Sequence, residues 1–278
     1  MKSHSGKGTF NYDNGDVYEG EFRDAEPHGI GKMTYMDGRV AEGIWENGKI
    51  AYEGELADGK PHGRGKWIYS NGTYDGGWKN GKFHGKGTLK WDDGEMYEGE
   101  WTDDTRNGKG TVKWPSGSSY EGEYTDDKRN GRGTFNYPNG DVYTGEWSAD
   151  KLHGKGVMNY SNQDVYDGEW KEDCKDGKGT MKYRNGDVYE GEFSNNKMHG
   201  RGTFEYAAGD LFKSIGEWKE GKKFGSFEDI VRVSKHVYYD NDELKANPIV
   251  KREAPSDENT DDSPPSKRRN VNACVSPS

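Results

Sequence analysis

One phrase is written repeatedly in this chain. "NGDVYEGEF" at Asn14–Phe22 returns as "NGDVYTGEW" at Asn139–Trp147 and as "NGDVYEGEF" at Asn185–Phe193. Aligned on the aromatic residue that opens each strand, the series reads Tyr18, Tyr52, Tyr74, Tyr97, Tyr120, Tyr143, Tyr166, Tyr189 and Phe212, and from Tyr74 onward every step is 23 residues. The first step, of 34, divides as 23 and 11, because "VAEGIWENG" is a unit start with Ala41 in the tyrosine slot. A fixed period of this size means that the chain stacks small units, each touching its neighbours.

The unit Val142–Asp164, "VYTGEWSADKLHGKGVMNYSNQD", reads as strand, loop, strand and turn. In "VYEGEF", Tyr18, Gly20 and Phe22 share one face, and Val17, Glu19 and Glu21 share the other. The second strand, "GRGTFNY" at 131–137, puts Gly133, Phe135 and Tyr137 together and turns Thr134 and Asn136 away. One face is therefore aromatic and glycine, the other polar. A strand glycine leaves a hollow that a neighbouring ring lies across. "DNGD", "SNGT" and "PNGD" read as Asn-Gly hairpin turns with positive φ, and the longer loops end in "HG" or "NG".

Composition agrees with such a build. Leu, Ile, Val and Phe together number 34, about 12% of the chain, below the roughly 20% at which a sequence normally reads as disordered. Against that stand 18 Tyr, 9 Trp and 42 Gly at fixed intervals. The expectation is an all-β fold: an elongated, single-layer antiparallel sheet of tandem hairpins, solenoid-like, with about 10 Å of rise per unit and a length on the order of 85 Å.

The recurring residues resemble the MORN (membrane occupation and recognition nexus) repeat family. "YDGGWKNGKFHGKGTLKWDDG" at Tyr74–Gly94 is similar to its motif, and the likeness covers about residues 6–225. The resemblance implies a single-layer β-hairpin array. Departures are Asn107, Asn130 and Asp176 in the histidine position, Gln163 in place of the turn glycine, a short step over 40–52 that predicts a kink or altered register, and two extra residues within 211–218 that predict a bulge or cap. The expected organisation is a repeat array over 1–225, capping strands over 226–239, and a disordered tail over 240–278.

Function follows partly by exclusion. A formal charge of −10 makes nucleic acid an unsuitable partner and disfavours anionic membranes. Cys174 and Cys274 build no disulfide framework, which favours a reducing compartment; "MKSHSGKGTF" has no apolar signal core. His28, His62, His84, His153 and His199 recur at one position, but neighbouring units hold them about 10 Å apart, too far to share a metal. The pairs Glu19/Glu21 and Glu190/Glu192 read as a solvated face rather than an acid–base pair. "HGKGT" runs lack the Ser or Thr after Lys, and the helix, of a phosphate loop. No catalytic residue, metal site or cofactor is expected.

The aromatic face remains. Tyr74, Trp78, Trp91, Tyr97, Trp101, Trp114, Tyr120, Tyr143, Trp147, Tyr166, Trp170, Tyr189 and Phe193 are the candidate residues of a groove taking an extended peptide or a helix of a protein partner. The family resemblance implies a scaffold at cytoskeletal, ciliary or membrane-associated assemblies. Its alternatives are a module for phosphoinositide headgroups or anionic membranes, and a regulatory segment related to those of phosphatidylinositol-phosphate kinases or SET methyltransferases. The expected location is the cytoplasm, with "SKRR" at 266–269 as a weak nuclear signal and a terminal strand edge as a route to a homodimer.

Overall fold

The structure, a computed structural model, describes residues 5–231 and the backbone of 239–240, 243–244 and 251–253. The chain divides into two compact units, Met1–Lys128 and Arg129–Ser278. Among the described residues there is no helix, hence none long and apolar enough to cross a membrane.

The first unit runs from β1 (Gly6–Asn11) and β2 (Val17–Arg23) through β3 (Glu26–Thr34), β4 (Val40–Glu46), β5 (Lys49–Ala57), β6 (Lys60–Tyr69), β7 (Gly72–Lys79), β8 (Lys82–Trp91), β9 (Met96–Thr102) and β10 (Thr105–Lys113) to β11 (Ser119–Thr125). Each strand pairs antiparallel with the next. The second unit holds β12 (Lys128–Asn136, from Arg129), β13 (Val142–Ser148), β14 (Lys151–Asn159), β15 (Val165–Lys171), β16 (Cys174–Lys182), β17 (Val188–Ser194), β18 (Lys197–Glu205), β19 (Leu211–Lys219) and β20 (Lys222–Val231). These too form an antiparallel meander. Beyond them are β21 (Tyr239–Asp240) paired with β22 (Glu243–Leu244), and β23 (Lys251–Glu253) paired with β20. The expected disorder over 240–278 otherwise lies outside the described residues.

Each unit's core lies on one face of its sheet and is aromatic. Tyr18, Tyr52, Tyr74 and Tyr97 in the first unit, and Tyr143, Tyr166 and Tyr189 in the second, are fully buried. Each ring lies over two glycines paired across strands: a methyl on Gly168 would stand 2.6 Å from the Gly179 Cα and 2.6 Å from the Tyr166 Oη. Each tyrosine hydroxyl then donates to the carbonyl three residues on, as in Tyr166 to Glu169 at 2.9 Å and Tyr97 to Glu100 at 3.0 Å. Tryptophan Nε1 donates back to the glycine carbonyl of the preceding unit, Trp170 to Gly156 at 3.1 Å and Trp78 to Gly65 at 2.9 Å. Polar ends of buried rings are thus satisfied without a second layer.

Three local expectations change. The longer loops are two-residue turns with both φ positive, such as Asp103-Asp104 (φ 47° and 74°) and Asn195-Asn196 (φ 48° and 70°), which match the twist of a hairpin. "DNGD" and "PNGD" are instead four-residue reversals in which only the glycine is left-handed, as Gly15 at φ 90° with its N–H donating to the Tyr12 carbonyl, and in "SNGT" neither Asn71 nor Gly72 is left-handed. "HG" lies inside the second strand, as a bulge: Gly145 faces Gly156 while Glu146 faces His153, so Gly154 and Lys155 fall out of register. Gly154 has φ 59°, which is why glycine recurs there.

The 11-residue step is made by β5, which pairs with β4 on one side and opens the next unit on the other, with a register shift between Ile44 and Trp45. At the other irregular unit, the β19–β20 pairing shifts between Leu211 and Lys213 and again between Gly216 and Glu217. Cys174 opens β16 and is buried; Cys274 lies outside the described residues.

Candidate functional site

The structure gathers the predicted ring residues within each unit, but as core. Tyr74, Trp78, Tyr97, Trp101 and Tyr120 in the first unit, and Tyr143, Trp147, Tyr166, Trp170, Tyr189 and Phe193 in the second, are all at most 5% exposed. They meet edge-to-face, Tyr166 and Trp170 at 5.1 Å and Tyr166 and Phe193 at 5.0 Å between centroids. Their faces are spent on each other and on glycine. Trp91 and Trp114 are half-buried, and stand with Tyr137, Tyr160 and Tyr183 at the ends of second strands. Burial raises the Tyr137 hydroxyl to about 12 and pushes those of Tyr160 and Tyr183 up as well.

One further core position varies in chemistry from unit to unit. Opposite the second core residue of each hairpin, a ring everywhere here but at Leu56, stand Pro27, Pro61, Phe83 and Arg106 in the first unit, and Leu152, Lys175 and Met198 in the second. Arg129, like Arg106, precedes asparagine, and Lys175 precedes Asp176; the apolar members all precede histidine. Arg106 and Arg129 ion-pair with Asp127 and Asp150 at 3.1 and 3.0 Å. The residue in that place for Lys175 is Asn196, whose side chain accepts the Lys175 backbone N–H at 2.8 Å. Its amine lies 5.2 Å from the Tyr166 ring and 5.5 Å from the Tyr160 ring, and burial brings its pKa down to about 8, against the pull of Asp164.

The opposite face of the second unit is concave. A groove of about 1180 Å³ crosses β14 to β20. Its floor is the backbone of the paired glycines, Gly168, Gly179, Gly191, Gly202 and Gly216. Two rows of side chains wall it, two residues apart along each strand, hence about 7 Å apart. In the first row Lys155 faces Glu169, Lys178 faces Glu192 and Arg201 faces Glu217. The second row runs straight across the strands as Asp167, Thr180, Glu190, Thr203 and Ile215. Phe224, 53% exposed, stands opposite Glu217 at the end of the first row, and Glu228 stands opposite Ile215.

The two acids of "EGE", alike in sequence, differ here. The second fills the bulge: Glu169 Oε2 accepts the Lys178 N–H at 2.9 Å, and Glu146 Oε1 that of Lys155 at 3.3 Å. The first, Asp167 or Glu190, is exposed and makes no hydrogen bond or ion pair among the described residues. Many other acids are stitches. Asp173 Oδ1 accepts the Leu152 N–H and Asp150 that of Arg129 at one margin, at 2.8 and 2.9 Å; Asp164 accepts from Arg184 and Asp187 from Ala207 at the other, at 2.7 and 2.8 Å. Much of the acidic balance is thus internal. The signal was present as the aspartate recurring at the turns. Among the described residues no group of three or more His, Cys, Asp or Glu is placed to hold a metal; the histidines sit in the bulges, with Nδ1 of His28, His62, His84 and His199 buried.

Among curated proteins no relative matches the chain. Solved structures similar to it include the TCP10 domain of Danio rerio CPAP in complex with a peptide of Danio rerio STIL, at 12% identity and TM-score 0.36, covering 81% of this chain and 91% of that one. Another is the SAS-4 (dCPAP) TCP domain of Drosophila melanogaster in complex with a proline-rich motif of Ana2, at 13% identity and TM-score 0.35, covering 62% and 84%. Scores this low leave these likenesses without functional weight. The family profile of the MORN repeat, by contrast, matches residues 18–38, 52–73, 74–96, 97–119, 120–142, 143–165, 166–188, 189–211 and 215–226. Nine matches across most of the chain, each on a hairpin with the ring-over-glycine core, make the chain a member of the MORN repeat family.

Proposed function

We propose that the chain is a non-catalytic scaffold that holds a protein partner as an extended segment in the groove of the second unit. One observation carries the reading: a concave surface with a bare backbone floor, walled by charged and hydroxyl side chains on rigid strands. A floor without side chains lets another main chain approach closely, while the walls supply contacts that choose the sequence. The thirteen ring residues then act from behind. Those under the groove back the glycine row, Tyr166 lying over Gly168 and Gly179 and Tyr189 over Gly191 and Gly202, and Trp91 and Trp114 offer half-open ring surface in the first unit. Cytoskeletal, ciliary or membrane-associated assemblies are the proposed setting.

The test fills the groove without touching the core. Thr180→Trp with Thr203→Trp places two large rings on half-buried strand positions lining the groove. A partner that cross-links to 165–219 in the native chain and is lost by this variant supports the reading. Undiminished capture by the variant refutes it, as does flotation of the full chain with phosphoinositide vesicles alongside no protein partner.

A further inference from the structure

The second wall of the groove, if the groove holds a partner at all, says what that partner looks like. Asp167, Glu190 and Ile215 lie on one straight row, each two strands from the next. Two strand spacings are about 9.6 Å. The first wall is self-neutralised, because each cation faces a glutamate. Asp167 and Glu190 have no such partner, and the hydroxyls of Thr180 and Thr203 lie between acid, acid and apolar position. The row therefore repeats carboxylate, carboxylate, apolar at intervals of about 9.6 Å, and it is on these that an occupant is selected.

The backbone of the occupant follows from width and spacing. A helix, about 10–12 Å across with its side chains, is too wide for rows about 7 Å apart. A β-strand puts same-face side chains about 6.7 Å apart, so it falls out of step with the row. A polyproline II segment returns a side chain to the same face every three residues, about 9.3 Å. It also needs no backbone partners, which suits a floor whose N–H and C=O groups are already paired within the sheet. We propose that the groove reads a polyproline II segment with a basic residue on one turn, a second basic residue three positions on, and an apolar residue three positions beyond that. The two cations meet Asp167 and Glu190, and the apolar side chain lies against Ile215.

Fluorescence anisotropy on the full chain tests this with synthetic proline-rich peptides. One carries two lysines three residues apart and a leucine three further on, in either chain direction; its isomers have the same composition with intervals of two. Equal charge cancels unspecific attraction, so only spacing differs. The expected result is about tenfold tighter binding of the three-residue spacing, in at least one direction. Asp167→Asn with Glu190→Gln, both exposed and outside the core, removes that preference. Equal binding of the isomers, or a preference that survives the double substitution, overturns the spacing rule. If the rule falls while Thr180→Trp with Thr203→Trp still abolishes partner capture, the groove stands and only its sequence selectivity is wrong.

Discussion

Replacing one strand glycine by alanine separates the ring-over-glycine account from ordinary β-propensity. At a compatible position, Gly→Ala stabilises a protein by about 0.4–1 kcal/mol through the unfolded chain, and alanine is the better strand residue. Gly168→Ala is expected to do the reverse. Its methyl would meet the Gly179 Cα and the Tyr166 Oη at 2.6 Å and the Lys178 carbonyl oxygen at 2.7 Å, where carbon–carbon contact is comfortable near 3.5–4.0 Å. Two of those three atoms are backbone of the adjacent strand, paired on both sides, so they cannot rotate away. Over-packing of a well-filled core costs about 1–3 kcal/mol, and displacing Tyr166 also weakens its bond to Glu169, worth about 1 kcal/mol. The sum is a loss of about 2–4 kcal/mol. Gly8→Ala is the internal control: its methyl meets only the Phe22 ring edge, at 3.6 Å, and its φ is not left-handed. Its expected effect is zero to slightly stabilising. Because repeat arrays open locally, hydrogen exchange at β15 and β16 should accompany urea unfolding. Equal midpoints for the two variants, or no loss of protection in β15 and β16 on Gly168→Ala, would refute the reasoning.

Other perturbations probe separate parts of the unit. Gln163 sits at φ 75° where every other unit with this turn has glycine; a left-handed conformation costs a non-glycine residue about 1–2 kcal/mol, so Gln163→Gly should raise the unfolding free energy by a net ~0.5–1 kcal/mol after the entropy of glycine is counted, read as a higher urea midpoint. Lys175→Met copies Met198 at the equivalent position and removes an amine whose burial outweighs the pull of Asp164; urea unfolding at neutral pH should show a gain of about 1 kcal/mol. That gain has a sign in pH. The folded amine titrates near 8, below its ordinary value of 10.5, so the native protein recovers stability as pH rises from 8 to 10.5 and the advantage of the variant shrinks over that window. The buried tyrosines act oppositely: Tyr18, Tyr52 and Tyr97 are raised from 10.0 to about 12, by burial first. Unfolded tyrosines lose their protons from pH 10 upward while the folded ones keep theirs, so stability should fall between pH 10 and 12, with tyrosinate absorbance rising together with unfolding rather than before it.

Period and face assignment are legible in one sequence because a strand alternates with period two and the unit recurs every 23 residues from Tyr74. Once Tyr18, Gly20 and Phe22 are placed on one side, an aromatic face is unavoidable. What that reading lacks is any measure of how completely rings close over glycine. Tyrosine and tryptophan look like binding residues by type, yet in a thin sheet they are the only bulk available for a core, and the backbone behind them is what stays open. The bulge was illegible for a related reason. "HG" before a strand and "HG" within one are the same letters, and only the glutamate eight residues before that glycine, accepting the N–H that the bulge frees (Glu146 from Lys155), tells them apart.

That long-range link also explains why identical acids carry different information. Glu169 and Asp167 flank the same glycine and face the same solvent, so a composition argument counts them together as charge. One is consumed in closing its own strand, as are the aspartates that stitch turn to turn; the other has no structural task. In an array whose units must all fold alike, free variation is confined to positions without such a task. Here Asp167, Glu190 and Ile215 occupy one such position in successive hairpins of the second unit, and their differences are what a partner lying across the strands would meet.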